Sequence, residues 1–271
     1  MTQTKVAVVQ MNSTPNVEHN LTSAEGLIKR AAHAGAELIL LPEGFAYLGP
    51  DQHKLQIAEP LPRGGPIIER FARLARETGT ELVLGGFWER NLEDTSKVYN
   101  TCVFMGEDGS IQATYRKVHL FDADLPQGKP IQESATVAPG TEVVVARSKA
   151  GMLGLSVCYD IRFPELYHDL VVRGAEIIAI PAAFTSYTGK DHWHVLVRAR
   201  AIETQGYILA PAQWGHHYGE RYSYGHGLIV DPWGMVVAEC QDGDGFVTAQ
   251  IDTENVRQTR QMLPTLEHHR L

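Results

Sequence analysis

Leu153-Gly154-Leu155-Ser156-Val157-Cys158-Tyr159-Asp160-Ile161-Arg162-Phe163-Pro164-Glu165 is an apolar run that breaks on a cysteine, passes through a short polar stretch and restarts at a proline. Proline pre-sets a helical φ and belongs in the first turn of a helix, so the segment reads as strand, turn, helix, with Leu166, Leu170 and Val171 on the buried helical face. The next apolar run, Ile177-Ile178-Ala179-Ile180-Pro181, completes a strand-helix-strand unit. Cys158 therefore closes a strand, the place where α/β proteins gather their active sites. A lone cysteine is also commonly a small buried hydrophobe, so the position alone does not assign it a role.

Toward the N-terminus the same plan is repeated. Val6 to Val9 is apolar, Leu21, Ala24, Leu27, Ile28 and Ala31 recur at helical spacing, and Glu37-Leu38-Ile39-Leu40-Leu41 is a second strand that ends at Pro42-Glu43. A helix with Ile67, Phe71, Leu74, Ala75 and Thr78 on one face stops at Gly79, and Glu81-Leu82-Val83-Leu84 follows as a strand. Val98 to Met105 and Ile111 to Tyr115 flank Asp108-Gly109, a hairpin signal, so antiparallel pairing is mixed with the parallel rhythm. Toward the C-terminus a helix is expected over His192 to Gln205, then strands at Tyr207 to Pro211, Leu228 to Val230, Val236 to Cys240 and Phe246 to Ile251, with Trp214 to Tyr224 as a loop. No linker or low-complexity tract divides the chain, which reads as one α/β domain over residues 1–271 with its strands buried between helical layers.

Of 271 residues, 44% are hydrophobic and 21% charged, and no stretch approaches the roughly 20 apolar residues a membrane span needs. A soluble protein with no membrane partner is expected. Met1 to Lys5 leads into an apolar run too short for a signal-peptide core, so the expected compartment is cytoplasmic. Cys102, Cys158 and Cys240 are far apart with no Cys-x-x-Cys pair, which argues against a disulfide framework and a zinc ribbon. The net charge of −8, with both signs interspersed, gives no basic stripe for nucleic acid. His192-x-His194, His216-His217 and His268-His269 lack the spacing of a zinc site, and Asp242-Gly243-Asp244-Gly245 puts Phe246 where a calcium loop needs a ligand. No metal or cofactor is expected, and a hairpin turn suffices for Asp242 to Gly245.

Glu43 and Lys117 sit in the same kind of place as Cys158, each closing an apolar or β-rich run just before a turn. Singly, they are an ordinary strand-end acid and a surface lysine. Together with a cysteine they can cleave an amide through a thioester: the sulfur attacks, a tetrahedral oxyanion forms and an amine leaves. A free thiol has a pKa of about 8.5, so a neighbouring base or cation is expected to raise the thiolate fraction. Glu43 is the candidate base, and Lys117 with the N–H of Tyr159 could hold the oxyanion, each donor typically worth about 2.7–4 kcal/mol. A serine hydrolase would need a Gly-x-Ser-x-Gly elbow, and Gly154-Leu155-Ser156-Val157-Cys158 does not supply it.

Leu40-Leu41-Pro42-Glu43-Gly44-Phe45, Tyr115-Arg116-Lys117-Val118-His119-Leu120-Phe121-Asp122 and Val157 to Glu165 resemble, in order, the three signature segments of the nitrilase superfamily, and the resemblance runs from Lys5 nearly to the C-terminus. It implies Glu43 as general base, Lys117 as oxyanion stabiliser and Cys158 as nucleophile. It also implies a four-layer α-β-β-α sandwich and a homodimer formed through the outer helical layers. Glu133, in Ile131-Gln132-Glu133-Ser134, matches the family's second glutamate, which positions substrate and keeps the proton relay in order. Without the resemblance it reads as a loop acid.

Pro181-Ala182-Ala183-Phe184, Thr188-Gly189, His192-Trp193, Arg198 to Gln205, Tyr224-Gly225-His226 and Val230-Asp231-Pro232-Trp233-Gly234 are most similar to the Nit branch of amidases. The implied substrate is an amide of a five-carbon α-keto acid: deaminated glutathione, releasing 2-oxoglutarate and cysteinylglycine, or, as in the ω-amidases, 2-oxoglutaramate, releasing ammonia. Either needs a cation for the oxo-acid carboxylate. Arg162, four residues past the nucleophile, fits because a planar guanidinium can grip a carboxylate with two parallel hydrogen bonds; the structural alternative is an ion pair with Asp160 or Glu165. Tyr159, Phe184 and Thr188 are the other candidate substrate contacts. Nitrile hydrolysis and acyl transfer share the thioester chemistry and are disfavoured only by the branch. A non-catalytic interaction protein would have little reason to carry all four of Glu43, Lys117, Glu133 and Cys158.

Overall fold

In the computed structural model, which describes residues 3–126 and 130–270, each strand-helix-strand unit builds its own sheet. The first runs β1 (Thr4–Met11), α1 (Val17–His33), β2 (Leu38–Leu41), α2 (Pro66–Thr78) and β3 (Glu81–Arg90). The three strands are parallel, with Val8 opposite Leu40 and Leu40 opposite Val83. β4 (Val98–Met105) and β5 (Ile111–Arg116) continue the sheet antiparallel, around a turn in which Gly109 has φ 76°. The second sheet contains β6 (Val145–Ser148), β7 (Gly151–Leu155), then α3 (Pro164–Val172), β8 (Ile177–Ala179), α4 (Ser186–Thr204) and β9 (Tyr207–Ala210), with β7, β8 and β9 parallel.

Past β9 the chain moves between the sheets. β10 (Ala212–Tyr218) pairs parallel with the end of β1 and forms a hairpin with β11 (Arg221–Tyr224). β12 (Leu228–Val230) and β13 (Val236–Glu239) extend the second sheet. β14 (Gly245–Ile251) returns to the first sheet antiparallel to β1, and α5 (Thr253–Met262) follows.

Side-chain alternation explains how the layers stack. Val6, Val8, Leu38, Leu40 and Val83 pack in one core with Leu153, Leu155, Ile177 and Ile208 of the second sheet. Their neighbours Ala7, Val9, Ile39, Leu41, Leu82 and Leu84 point the other way and pack with Leu21, Leu27 and Ile28 of α1 and Ile67, Phe71 and Leu74 of α2. On the far side, Leu166 and Leu170 of α3 and Trp193 and Val197 of α4 cover the second sheet. The order is α-β-β-α. Strands covered on both faces are why these runs are uninterrupted apolar sequence rather than alternating.

Three local expectations are corrected. α4 begins at Ser186, six residues before His192, because Gly189 fits its first turn: its N–H donates to Thr185 O at 2.8 Å. A Cβ there would stand 2.3 Å from Tyr224 Cβ, so this glycine is a packing requirement and not a helix break. The span Trp214 to Tyr224 is the β10–β11 hairpin, its alternation hidden by glycines and polar residues. The turn over Asp242 to Gly245 joins strands of different sheets and is no hairpin; Asp244 is tied down there by the Asn12 N–H at 2.9 Å.

Candidate active site

Glu43 follows β2, Lys117 follows β5 and Cys158 follows β7, so all three are delivered by strand ends from two facing sheets. Glu133 comes from a short 3₁₀ turn, Glu133–Ala135. The four meet in one cleft. Lys117 Nζ lies 3.0 Å from Glu43 Oε1 and 2.8 Å from Glu133 Oε2, with 2% of its side chain exposed. Glu43 Oε2 accepts the Ala183 N–H at 2.9 Å, and Glu133 Oε2 accepts the Phe121 N–H at 2.7 Å. Asn100 Nδ2 donates to both carboxylates, at 2.9 Å to Glu43 and 3.0 Å to Glu133.

Backbone close to Glu43 has no room for side chains. β3 carries a bulge between Leu84 and Phe87, filled by Gly85 and Gly86. Gly86 has φ 59°, and a Cβ on it would sit 2.6 Å from Glu43 Cγ; one on Gly85 would sit 2.1 Å from Pro181 Cβ. The bulge lets the strand pass under the carboxylate.

Cys158 opens the 3₁₀ turn Cys158–Arg162 with φ 48°, a left-handed conformation that costs a non-glycine residue about 1–2 kcal/mol. The turn is held in place by its surroundings. The Cys158 N–H donates to Pro181 O at 2.9 Å, while Asp160 Oδ2 accepts the Val157 N–H at 2.9 Å and the Tyr115 hydroxyl at 2.8 Å. Asp160 Oδ1 accepts the His119 N–H at 3.0 Å, so one buried carboxylate ties the Cys158 turn to the segment carrying Lys117. The Tyr159 N–H has no acceptor among the described residues.

Electrostatics sets the protonation states. Burial, and then the negative charge of the neighbouring Glu43, push Cys158 well above the usual thiol range, and Lys117 offsets this only in part. The expectation that its neighbours raise the resting thiolate fraction is therefore corrected: the sulfur is held as a thiol. Burial would lower Lys117, but Glu133 and Glu43 outweigh it and hold the ammonium well above the ordinary lysine range. Burial likewise opposes ionisation of Glu133, and Lys117 with the Asn100 and Phe121 hydrogen bonds overcomes it, so its pKa is lowered.

Two lobes of the cleft meet at Cys158. The larger, about 820 Å³, contains the four residues above with Trp88, Phe121, His217, Arg221 and Tyr222. The smaller, about 230 Å³, is lined by Tyr159, Arg162, Phe184 and Thr188. The Arg162 guanidinium lies 5.1 Å over the Phe184 ring and 5.9 Å from the Tyr159 ring centre, and both terminal nitrogens are 3.3 Å from His192 Nδ1. Among the described residues it pairs with neither Asp160 nor Glu165. Thr188 shares a 2.8 Å hydroxyl contact with Thr185 at the start of α4.

A thiol beside a carboxylate and a buried ammonium can attack an acyl carbon, hand over its proton and have the resulting oxyanion neutralised. Sequence reading missed Asn100 and Asp160. Asn100 left a signal, an amide beside Thr101 in the mostly apolar strand β4; Asp160 was considered only as a partner for Arg162. Among the described residues the histidines adjacent in sequence group into no metal site, but His194, His226 and Glu239, far apart in sequence, place donor atoms within 4.8 Å of one another and could hold a metal ion. Glu239 Oε1 already pairs with His194 Nε2 at 3.0 Å and His226 Nδ1 at 2.8 Å.

Comparison with known proteins agrees with the geometry. The carbon-nitrogen hydrolase family model matches residues 5–261. A deaminated glutathione amidase from Bos taurus is 48% identical over 98% of this chain and 81% of its own length. Another from Synechocystis sp. is 44% identical over 97% of this chain and 96% of its own. The crystal structure of the Caenorhabditis elegans NitFhit protein superimposes with a TM-score of 0.93 at 39% identity, over 99% of this chain and 65% of that one. A strand-end cysteine, buried carboxylates and a four-layer sandwich thus coincide with a match along almost the whole sequence, and the chain belongs to the carbon-nitrogen hydrolase family.

Proposed function

We propose that this protein is a cysteine-dependent amidase that hydrolyses deaminated glutathione to 2-oxoglutarate and cysteinylglycine. The observation that carries the reading is the meeting of Cys158, Glu43, Lys117 and Glu133 in one cleft, in a chain up to 48% identical to deaminated glutathione amidases. As Sγ attacks the amide carbon, its proton passes to Glu43. Lys117 Nζ and the Tyr159 N–H hold the oxyanion, and Glu133 fixes Lys117 through its 2.8 Å contact. Glu43 returns the proton to the leaving nitrogen as the carbon–nitrogen bond breaks, leaving a thioester on Cys158. Water then attacks that carbonyl, gives a proton to Glu43, and the sulfur departs as the thiol. Arg162 grips the oxo-acid carboxylate, flanked by Tyr159, Phe184 and Thr188.

The chain acts as one domain and, in this reading, as a homodimer: Val195, Ile202, Trp233, Met235 and Val237 expose apolar side chains on α4 and the β12–β13 hairpin, a face that association would cover. A monomer by sedimentation at micromolar concentration would contradict that. The three cysteines are all free thiols, which suits the cytosol, and no helix among the described residues is long and apolar enough to cross a membrane. The test of function is kcat/KM on deaminated glutathione against 2-oxoglutaramate, each followed by 2-oxoglutarate release. Preference for the first supports the proposal; preference for the second makes the protein an ω-amidase.

A further inference from the structure

Arg162 is not the only arginine in the cleft. Arg221, at the start of β11, lines the larger lobe with Glu43, Lys117 and Cys158. Neither arginine lies in the other's lobe, and Cys158 lies in both. Among the described residues Arg221 has no carboxylate within ion-pair distance. The other charged groups of that lobe are accounted for. Asp51 is taken by Lys54 at 2.7 Å, and Glu43 and Glu133 by Lys117. His217, beside Arg221, is buried with its ring nitrogens on Ser13 O at 2.7 Å and Ser223 Oγ at 2.8 Å. Its pKa is lowered to about 4, by burial first and by the charge of Arg221 among its neighbours, so it stays neutral at pH 7. A guanidinium left unpaired in a partly desolvated lobe is a site prepared for an anion.

We infer that Arg221 binds the terminal carboxylate of the leaving group, so that the cleft is built for a substrate carrying one carboxylate on each side of the scissile amide. The relative size of the lobes fits this orientation: the narrower one around Arg162 suits the short oxo-acid arm, and the roomier one around Arg221, open to solvent, is on the side of the larger leaving dipeptide. Tyr222, an exposed aromatic side chain, lies beside Arg221 in that lobe and gives the middle of a peptide a surface to lie on. The inference rests on the amidase reading above and adds to it the feature that rejects a bare primary amide.

The test pairs a protein change with a substrate change. Steady-state kinetics of wild type, Arg221→Gln and Arg221→Lys are measured on deaminated glutathione, on the same molecule with its terminal carboxylate converted to carboxamide, and on 2-oxoglutaramate. A carboxylate grip predicts that wild type loses about tenfold to a hundredfold in kcat/KM on the carboxamide analogue. R221Q loses a similar factor on deaminated glutathione, and it no longer distinguishes acid from carboxamide. R221K falls between, since one point charge replaces a fork. Wild type indifferent to the carboxamide, or R221Q falling equally on all three substrates, overturns the assignment of Arg221 alone. Wild type inactive on deaminated glutathione and its carboxamide sinks the functional reading, and this inference with it. The wild-type acid-to-carboxamide ratio needs no variant, so a misfolded R221Q leaves the inference testable.

Discussion

Replacing Lys117 by methionine keeps the length of the side chain and removes the one cation between Glu43 and Glu133. Both carboxylates are buried, and together they accept from Asn100 and two backbone N–H groups. Removing one partner of a buried ion pair typically costs about 3–5 kcal/mol. Here the cost has a ceiling, because one carboxylate can take up a proton instead. From the ordinary glutamate value of 4.5 to pH 7 is about 2.5 units, and at about 1.36 kcal/mol per unit neutralisation costs about 3.4 kcal/mol. The sign follows from proton counts. In K117M the folded state carries a proton at pH 7 that the unfolded state does not, so acidification stabilises the variant relative to wild type, in which Lys117 holds the Glu133 pKa below the ordinary glutamate value. The penalty should be about 3 kcal/mol at pH 7, about 2 at pH 6 and about 1 at pH 5. Urea denaturation of both proteins at those three values measures it. A penalty that is constant, or that grows on acidification, would refute the buried-triad reasoning. K117M should also have no measurable amidase activity at any of them.

Cys158→Ala should abolish turnover while the unfolding free energy from urea denaturation stays within about 1 kcal/mol of wild type; activity retained at a large fraction of wild type removes the nucleophile assignment. Arg162→Lys should lose about tenfold to a hundredfold in kcat/KM on α-keto acid amides and much less on uncharged amides, and an equal loss on both would make Arg162 structural. His217, neutral and buried with a pKa near 4, must protonate on acid unfolding, so stability is whole above pH 6.5 and declines by about 3 kcal/mol as pH falls to 4. His217→Gln should flatten that decline in a pH series of urea melts, and an unchanged slope assigns the acid sensitivity elsewhere.

Sequence carried the sheet strands of both units well, because strands buried on both faces are written as continuous apolar runs such as Glu37 to Leu41 and Ile177 to Ile180. It carried the β4–β5 hairpin because Asp108-Gly109 supplies the positive φ that turn needs. The start of α4 and the β10–β11 hairpin were lost because their glycines look like breaks locally: Gly189 is required by Tyr224, which packs on it from far away, and Gly215 and Gly219 take positive φ, 70° and 51°, within the hairpin. In the site, the four residues of the cleft were legible through motif resemblance. Asn100 and Arg221 were not, since an asparagine in a strand and an arginine beside Gly219 acquire meaning only from the carboxylates and the cleft that the fold brings to them. The protonation of Cys158 was misjudged because sequence reports which charges are available but not how completely burial strips water from the sulfur.

That burial bears on how the enzyme survives oxidants. Peroxide reacts with sulfur in its anionic form, and susceptibility rises with thiolate character and access. Cys158 is 8% exposed and is held protonated against the negative charge of Glu43. In the proposed mechanism its nucleophilicity is released only when an acyl group arrives to receive it, so the same carboxylate that would then take its proton keeps it, between turnovers, a poor substrate for sulfenylation.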